Sequence, residues 1–139
     1  MIDDREKITY AKSELKSYHY LTREKENLKL MIDSITAMLE NVKSPSVPKE
    51  DGGGGYNPYR RAKLFDDLND AQNELKHVRC RLDRIEGFIG GLEKEDRISV
   101  RRVYLRRENK RVTLENEAQR RNYSRRGLIK RIDTLLEKF

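Results

Sequence analysis

Apolar residues recur along this chain at helical spacing, and in one stretch without error. Leu64, Leu68, Ala71, Leu75, Val78, Leu82, Ile85, Ile89 and Leu92 alternate steps of four and three. Every a and d position of four heptads is apolar, which predicts a long helix with a coiled-coil seam. An earlier stretch follows the same rule in two pieces: Ile8, Ala11, Leu15 and Tyr18, then Leu21, Leu28, Ile32, Ile35, Leu39 and Val42. Leu21 follows Tyr18 by three residues where four would continue the frame, and Lys25 falls at a seam position. That is the spacing of a stammer, a local overwinding; an ordinary amphipathic helix with one imperfect turn fits as well. Asp3 or Asp4 suits the start of this first helix, where acids oppose the dipole.

Between the two patterns lie two prolines, Pro45 and Pro48, and the run Gly52 to Gly55. This composition predicts a flexible linker over 44–57. Asn57-Pro58 then reads as a cap followed by proline in the first helical position. Gly87, Gly90 and Gly91 cluster at the end of the second seam and read as a kink or joint, since each disfavours a helix.

After this joint the pattern shortens. A helix is expected from about Glu95 to Arg107, carrying Ile98, Val100, Val103, Tyr104 and Leu105. Thr113 suits the cap of a short helix with Glu115 and Glu117 in its first turn, ending near Asn122, a residue that tolerates a left-handed turn. Ser124 suits the cap of a final helix whose apolar arc is Leu128, Ile129, Ile132, Leu135, Leu136 and Phe139, with Arg126, Lys130 and Thr134 opposite. Short helix, tight turn and capped final helix form the helix-turn-helix layout. The expected fold is therefore all-α: a long helical hairpin or coiled coil, then a small C-terminal helix-turn-helix unit. Its parts are a coiled-coil helix over 1–43, the linker over 44–57, a second heptad helix over 58–92 and a basic unit over 93–139.

Composition fits this picture. Charged residues make up 40% of the chain and hydrophobic ones 35%, which suits helices that bury one stripe rather than a large core. Charge changes the picture more. From Lys94 to Phe139 there are 15 Lys and Arg against 7 Asp and Glu, a net of +8, while the whole chain carries +7. All the net positive charge sits on the patterned C-terminal unit, which makes nucleic acid the first candidate partner. Arg125 and Arg126 occupy the first turn of the final helix, where the dipole disfavours cations. A phosphate or base edge would account for them; a solvated pair is the plain alternative. In this layout the N-terminal residues of the second helix reach the major groove. Ser124, Arg125, Arg126 and Lys130 are thus the candidate groove residues, and Arg101, Arg102, Arg106, Arg107, Lys110, Arg111, Arg120 and Arg121 the candidate phosphate contacts.

The layout and the Tyr104, Thr113, Glu115, Ala118, Asn122-Tyr123-Ser124 and Phe139 pattern resemble small phage transcriptional regulators of the RinA/ArpU type. Their C-terminal part is similar to region four of sigma-70 factors. The chain departs from that pattern in about four extra residues between Tyr104 and Thr113, in Glu117 and Arg121 at positions usually apolar, and in Gly127 early in the final helix. Glu117 and Arg121 are four apart and can pair with each other on a surface. The resemblance implies a regulator that contacts double-stranded DNA, with RNA polymerase as a further candidate partner, acting in a bacterial host.

Other chemistry finds little footing. A single cysteine, Cys80, excludes an internal disulfide and falls at an outer heptad position. His19 and His77 stand apart, without a second ligand at metal spacing. Asp66, Asp67, Asp70 and Glu74 read as a solvated face, and the glycine run lacks the ending of a phosphate loop. Tyr18, Tyr20, Tyr56, Tyr59 and Tyr123 can stack on bases, but the first four lie in the neutral half. No catalytic constellation, cofactor, metal site or small-molecule substrate is expected. No segment is apolar enough to span a membrane, and the charged MIDDREK start is unlike a signal peptide. The expectation is a non-enzymatic, cytoplasmic homodimer. The alternative is a structural or adaptor protein whose coiled coil binds another protein.

Overall fold

The computed structural model describes residues 3–43 and 58–139. The expected linker over 44–57, with the Asn57 cap, lies outside the described residues. Among those described, every regular element is helical: α1 (Asp4–Lys16), α2 (Tyr18–Lys43), α3 (Pro58–Gly90), α4 (Lys94–Val100), α5 (Leu114–Arg120) and α6 (Arg125–Leu136). A π turn, Arg101–Leu105, extends α4, and a 3-10 turn, Glu108–Lys110, precedes α5. The chain forms two compact units. One takes residues 23–80, the other residues 1–22 together with 81–139.

The unit over 23–80 is a helical pair. Ile35 and Leu39 of α2 pack with Leu64 of α3, and Leu68 covers the cluster. Leu28, Ala71, Leu75 and Val78 are buried as well. These are the seam positions of the sequence, so the apolar stripe that drives the pairing is covered within one chain.

The second unit begins with α1, and the sequence shows why it starts and stops where it does. The Asp3 carboxylate accepts the Glu6 N–H at 2.8 Å, and Asp4 and Glu6 oppose the dipole of the first turn. The helix breaks at Ser17. Its N–H is shared between the carbonyls of Ser13 and Glu14 at 3.2 and 3.1 Å, and its hydroxyl donates back to the Ser13 carbonyl at 3.0 Å. Such back-bonding bends a helix. The break falls between Leu15 and Tyr18, immediately before the step at which the apolar frame loses a residue. Ala11 and Leu15 are fully buried, and α1 packs against α6 and the π turn. The first helix is thus joined to the C-terminal elements.

Eight seam residues, from Leu64 to Ile89, lie on α3, but Leu92 does not. The helix ends at Gly90, and Leu92 sits half-buried in the turn beyond it. The Gly91 N–H contacts the carbonyls of both Gly87 and Phe88 at 3.2 Å, and the Leu92 N–H follows to Ile89 at 3.1 Å, a tightened last turn. Gly87 is not part of the joint: it lies inside α3, with nothing within 4 Å of where a Cβ would stand.

The expected helix from Glu95 to Arg107 is shorter, ending at Leu105, and its last turn is π. Three successive residues there, Val103, Tyr104 and Leu105, are buried, with Val100 before them. Both α1 and α5 rest on this turn, and α6 packs on α5. Leu128, Ile132 and Leu136 of α6 complete the core, each at most 1% exposed. Burial, with the nearby Asp133 charge, pushes the Tyr104 hydroxyl up to about 12.

Candidate nucleic-acid interface

The turn between α5 and α6 is fixed by local chemistry on both sides. Thr113 caps α5 by accepting the Asn116 N–H at 3.1 Å. At the other end Asn122 adopts φ 59°. The Tyr123 N–H reaches back to the Ala118 carbonyl at 2.8 Å and the Asn122 N–H to Gln119 at 3.2 Å. This pair of bonds is a Schellman motif. Ser124 then starts α6, its hydroxyl accepting the Gly127 N–H at 3.0 Å. A Cβ on Gly127 would lie 2.9 Å from that hydroxyl, so the glycine makes room for the cap.

Beneath the turn lies a polar cluster that the sequence did not reveal. The Glu117 side chain is fully buried. It accepts from Ser99 Oγ at 2.8 Å, from Arg102 Nε at 2.8 Å and from Arg120 Nη2 at 2.7 Å. Asp96, 2% exposed, accepts from Arg121 at 3.0 Å and from Arg131 at 2.8 Å. Arg121 also donates to Ser99 Oγ at 3.2 Å, which joins the two halves. The expected surface pair of Glu117 with Arg121 is not formed: both turn inward, meeting only through the shared Ser99 hydroxyl. Burial alone would raise the carboxyl pKa values. Hydrogen bonds from Arg120, Ser99 and Arg102 outweigh it at Glu117 and hold it down at about 2; those from Arg131 and Arg121 do the same in direction at Asp96.

The twelve candidate DNA residues therefore divide. Arg102, Arg120 and Arg121 are engaged in this cluster. Arg111 donates to the Lys16 carbonyl at 2.9 Å and to the Arg106 carbonyl at 3.0 Å, placing a cation at the C-terminal end of α1. Arg107 donates to Nε2 of His19 at 3.2 Å. The Ser124 hydroxyl is committed to its cap. Arg101, Arg106, Lys110, Arg125, Arg126 and Lys130 are exposed, and none forms a salt bridge among the described residues. Arg125, Arg126 and Lys130 stand together on the first two turns of α6, whose first turn contains no acid.

Sequence reasoning missed Asp96, Ser99 and Arg131. The signal was Glu117: a carboxylate on an apolar arc requires partners, and α4 and the π turn supply Ser99 and Arg102. Among the described residues no cluster of His, Cys, Asp or Glu could hold a metal ion, and no helix is long and apolar enough to cross a membrane. Cys80 is a free, exposed thiol. No family model, curated protein or solved structure matches the chain.

Proposed function

We propose that this protein binds double-stranded DNA, with α5, its turn and α6 acting as a helix-turn-helix and α6 entering the major groove. The observation that carries this reading is the set Arg125, Arg126 and Lys130, exposed at the start of a capped helix and without an anion among the described residues. Two cations at the positive end of a helix dipole are unfavourable on their own account, and a phosphate or guanine edge reverses the balance. Arg101, Arg106 and Lys110 add phosphate contacts. The transcriptional role rests on the resemblance to phage RinA/ArpU-type regulators, and RNA polymerase stays a candidate partner on the same basis. A dimer is part of the proposal only through surfaces other than the heptad seam, since the seam is covered within the chain.

The test is binding of the full chain to random duplex DNA, by gel shift or fluorescence anisotropy, across a range of salt. Six unpaired cations set a ceiling of about −5 on the slope of log affinity against log salt. A flat response overturns the proposal. Removing the last 46 residues is not an adequate control, because α1 would lose the partners that bury Ala11 and Leu15; replacing Arg125 and Arg126 is.

A second reading, a non-enzymatic adaptor that works through its helical pair, is favoured by one feature of the unit over 23–80. Leu30 and Met31 are 67% and 51% exposed there, and an open groove is lined by Ile32, Gln72, Leu75 and Lys76. Absence of duplex binding would favour it.

A further inference from the structure

Tyr123 is the one large apolar side chain between Lys94 and Phe139 that stands exposed among the described residues, at 41%. It sits in the turn that leads into α6, between the arginines that bind the buried carboxylates and the unpaired Arg125 and Arg126. Its position is well determined. The backbone N–H is tied to Ala118 at 2.8 Å. The Arg121 guanidinium lies 5.0 Å from the ring centroid, and that guanidinium is itself held by Asp96 and Ser99 at 3.0 and 3.2 Å. On the α6 side the ring lies beside Gly127, where a Cβ would make ordinary van der Waals contact with it, 3.7 Å from Tyr123 Cδ1. An aromatic ring with few torsions, anchored by a cation that is itself anchored, is preorganised for contact and loses little entropy on binding.

We infer that Tyr123 is a recognition residue that packs against the apolar edge of the duplex, a thymine methyl or deoxyribose carbons, beside the cations of α6. This rests on the duplex-binding proposal and deepens it. A neutral ring adds affinity without displacing counterions, so its contribution is independent of salt, unlike that of the arginines. Thymine is also the base that shows a methyl group in the major groove.

The experiment uses the full chain and two alternating duplexes, one of adenine with thymine and one of adenine with uracil in deoxyribose backbones. Tyr123→Ala should weaken binding about tenfold, the worth of some 50 Å² of apolar surface, with the salt slope unchanged. Arg126→Ala should make the slope shallower by about one. Tyr123→Phe, which keeps the ring, should bind like the unaltered protein. If the loss in Tyr123→Ala shrinks on the uracil duplex, the ring packs on the methyl; if it is equal on both, it packs on the sugar. Unchanged affinity in Tyr123→Ala, or a loss that comes with a shallower slope, overturns the inference while leaving duplex binding intact. If the unaltered protein binds neither duplex, the parent proposal fails and this one with it.

Discussion

Arg120 ends α5 and Arg121 caps it, Arg125 and Arg126 begin α6, and only Asn122, Tyr123 and Ser124 lie between the two pairs. The first pair is engaged by buried carboxylates: Arg120 reaches Glu117 at 2.7 Å and Arg121 reaches Asp96 at 3.0 Å. The second pair faces solvent. The two pairs are alike in sequence, yet the first ties α5 to α4 through Glu95, Asp96 and Ser99 while the second is spent on nothing within the described chain. Basic charge is therefore not a uniform measure of a binding surface. Part of the +8 of the last 46 residues neutralises carboxylates that the fold has buried, and the remainder is available to a partner.

The sharpest way to break this comparison is to remove the anion of the inner set. Glu117→Ala should destabilise the protein by about 2–3 kcal/mol, because it leaves Arg102, Arg120 and Ser99 without their shared acceptor while water still reaches the two guanidiniums. Urea unfolding measures this, and a loss below about 1 kcal/mol would mean that water replaces the carboxylate at little cost. Acid acts through the same group. Glu117 titrates near 4.5 when unfolded and near 2 when folded, so the unfolded chain takes up the proton first. The stability it supplies is complete above pH 4.5 and is lost as pH falls toward 2, about 3 kcal/mol in all. Asp96 is shifted in the same direction and adds to the loss. Unfolding followed at pH 7, 4 and 3 should show this decline, and Glu117→Gln should flatten it.

The difference between the two arginine pairs also marks what sequence can and cannot convey. Caps and turns were legible because they depend on neighbours: Thr113, Ser124 and the left-handed Asn122 stand where their chemistry requires. The heptad residues from Leu64 to Ile89 were legible because a period is a local property. The destination of an arginine is not. Arg121 meets Asp96 across 25 residues and Arg131 meets it across 35, and no spacing rule brings those positions together. The same holds for α1. Its heptad frame slips by one residue on entering α2, and its packing partners include α6 and the π turn, which no heptad letter names. Gly127 stood in the sequence only as a departure from the family pattern, because the hydroxyl it accommodates is visible only in three dimensions.

That glycine sets the next, smaller test. Alanine in a helix is worth up to about 1 kcal/mol over glycine, yet Gly127→Ala places a Cβ 2.9 Å from Ser124 Oγ and should disrupt a cap worth about 1 kcal/mol. The single substitution should therefore bring no gain in stability. In a Ser124→Ala background, where the cap is already gone, the same change should stabilise. A double-mutant cycle by thermal unfolding reads this coupling directly, and simple additivity would show that the glycine is not there for the cap.

The outer pair should give the smallest effect on stability and the clearest separation of fold from binding. Arg125 and Arg126 oppose the dipole of α6 and touch no anion among the described residues, so the double change to Ala should leave the protein as stable as before or raise its stability by a few tenths of a kcal/mol. The same variant should lose duplex affinity and, with two fewer cations, show a salt slope shallower by about two. Arg121→Ala should do the reverse in kind, lowering stability by breaking the buried pair with Asp96, and its effect on binding should follow from the loss of fold and of the support under Tyr123. If Arg125 and Arg126 proved to stabilise the protein as Arg121 does, the division between an inner and an outer set would collapse, and with it the argument that the start of α6 is kept free for a partner.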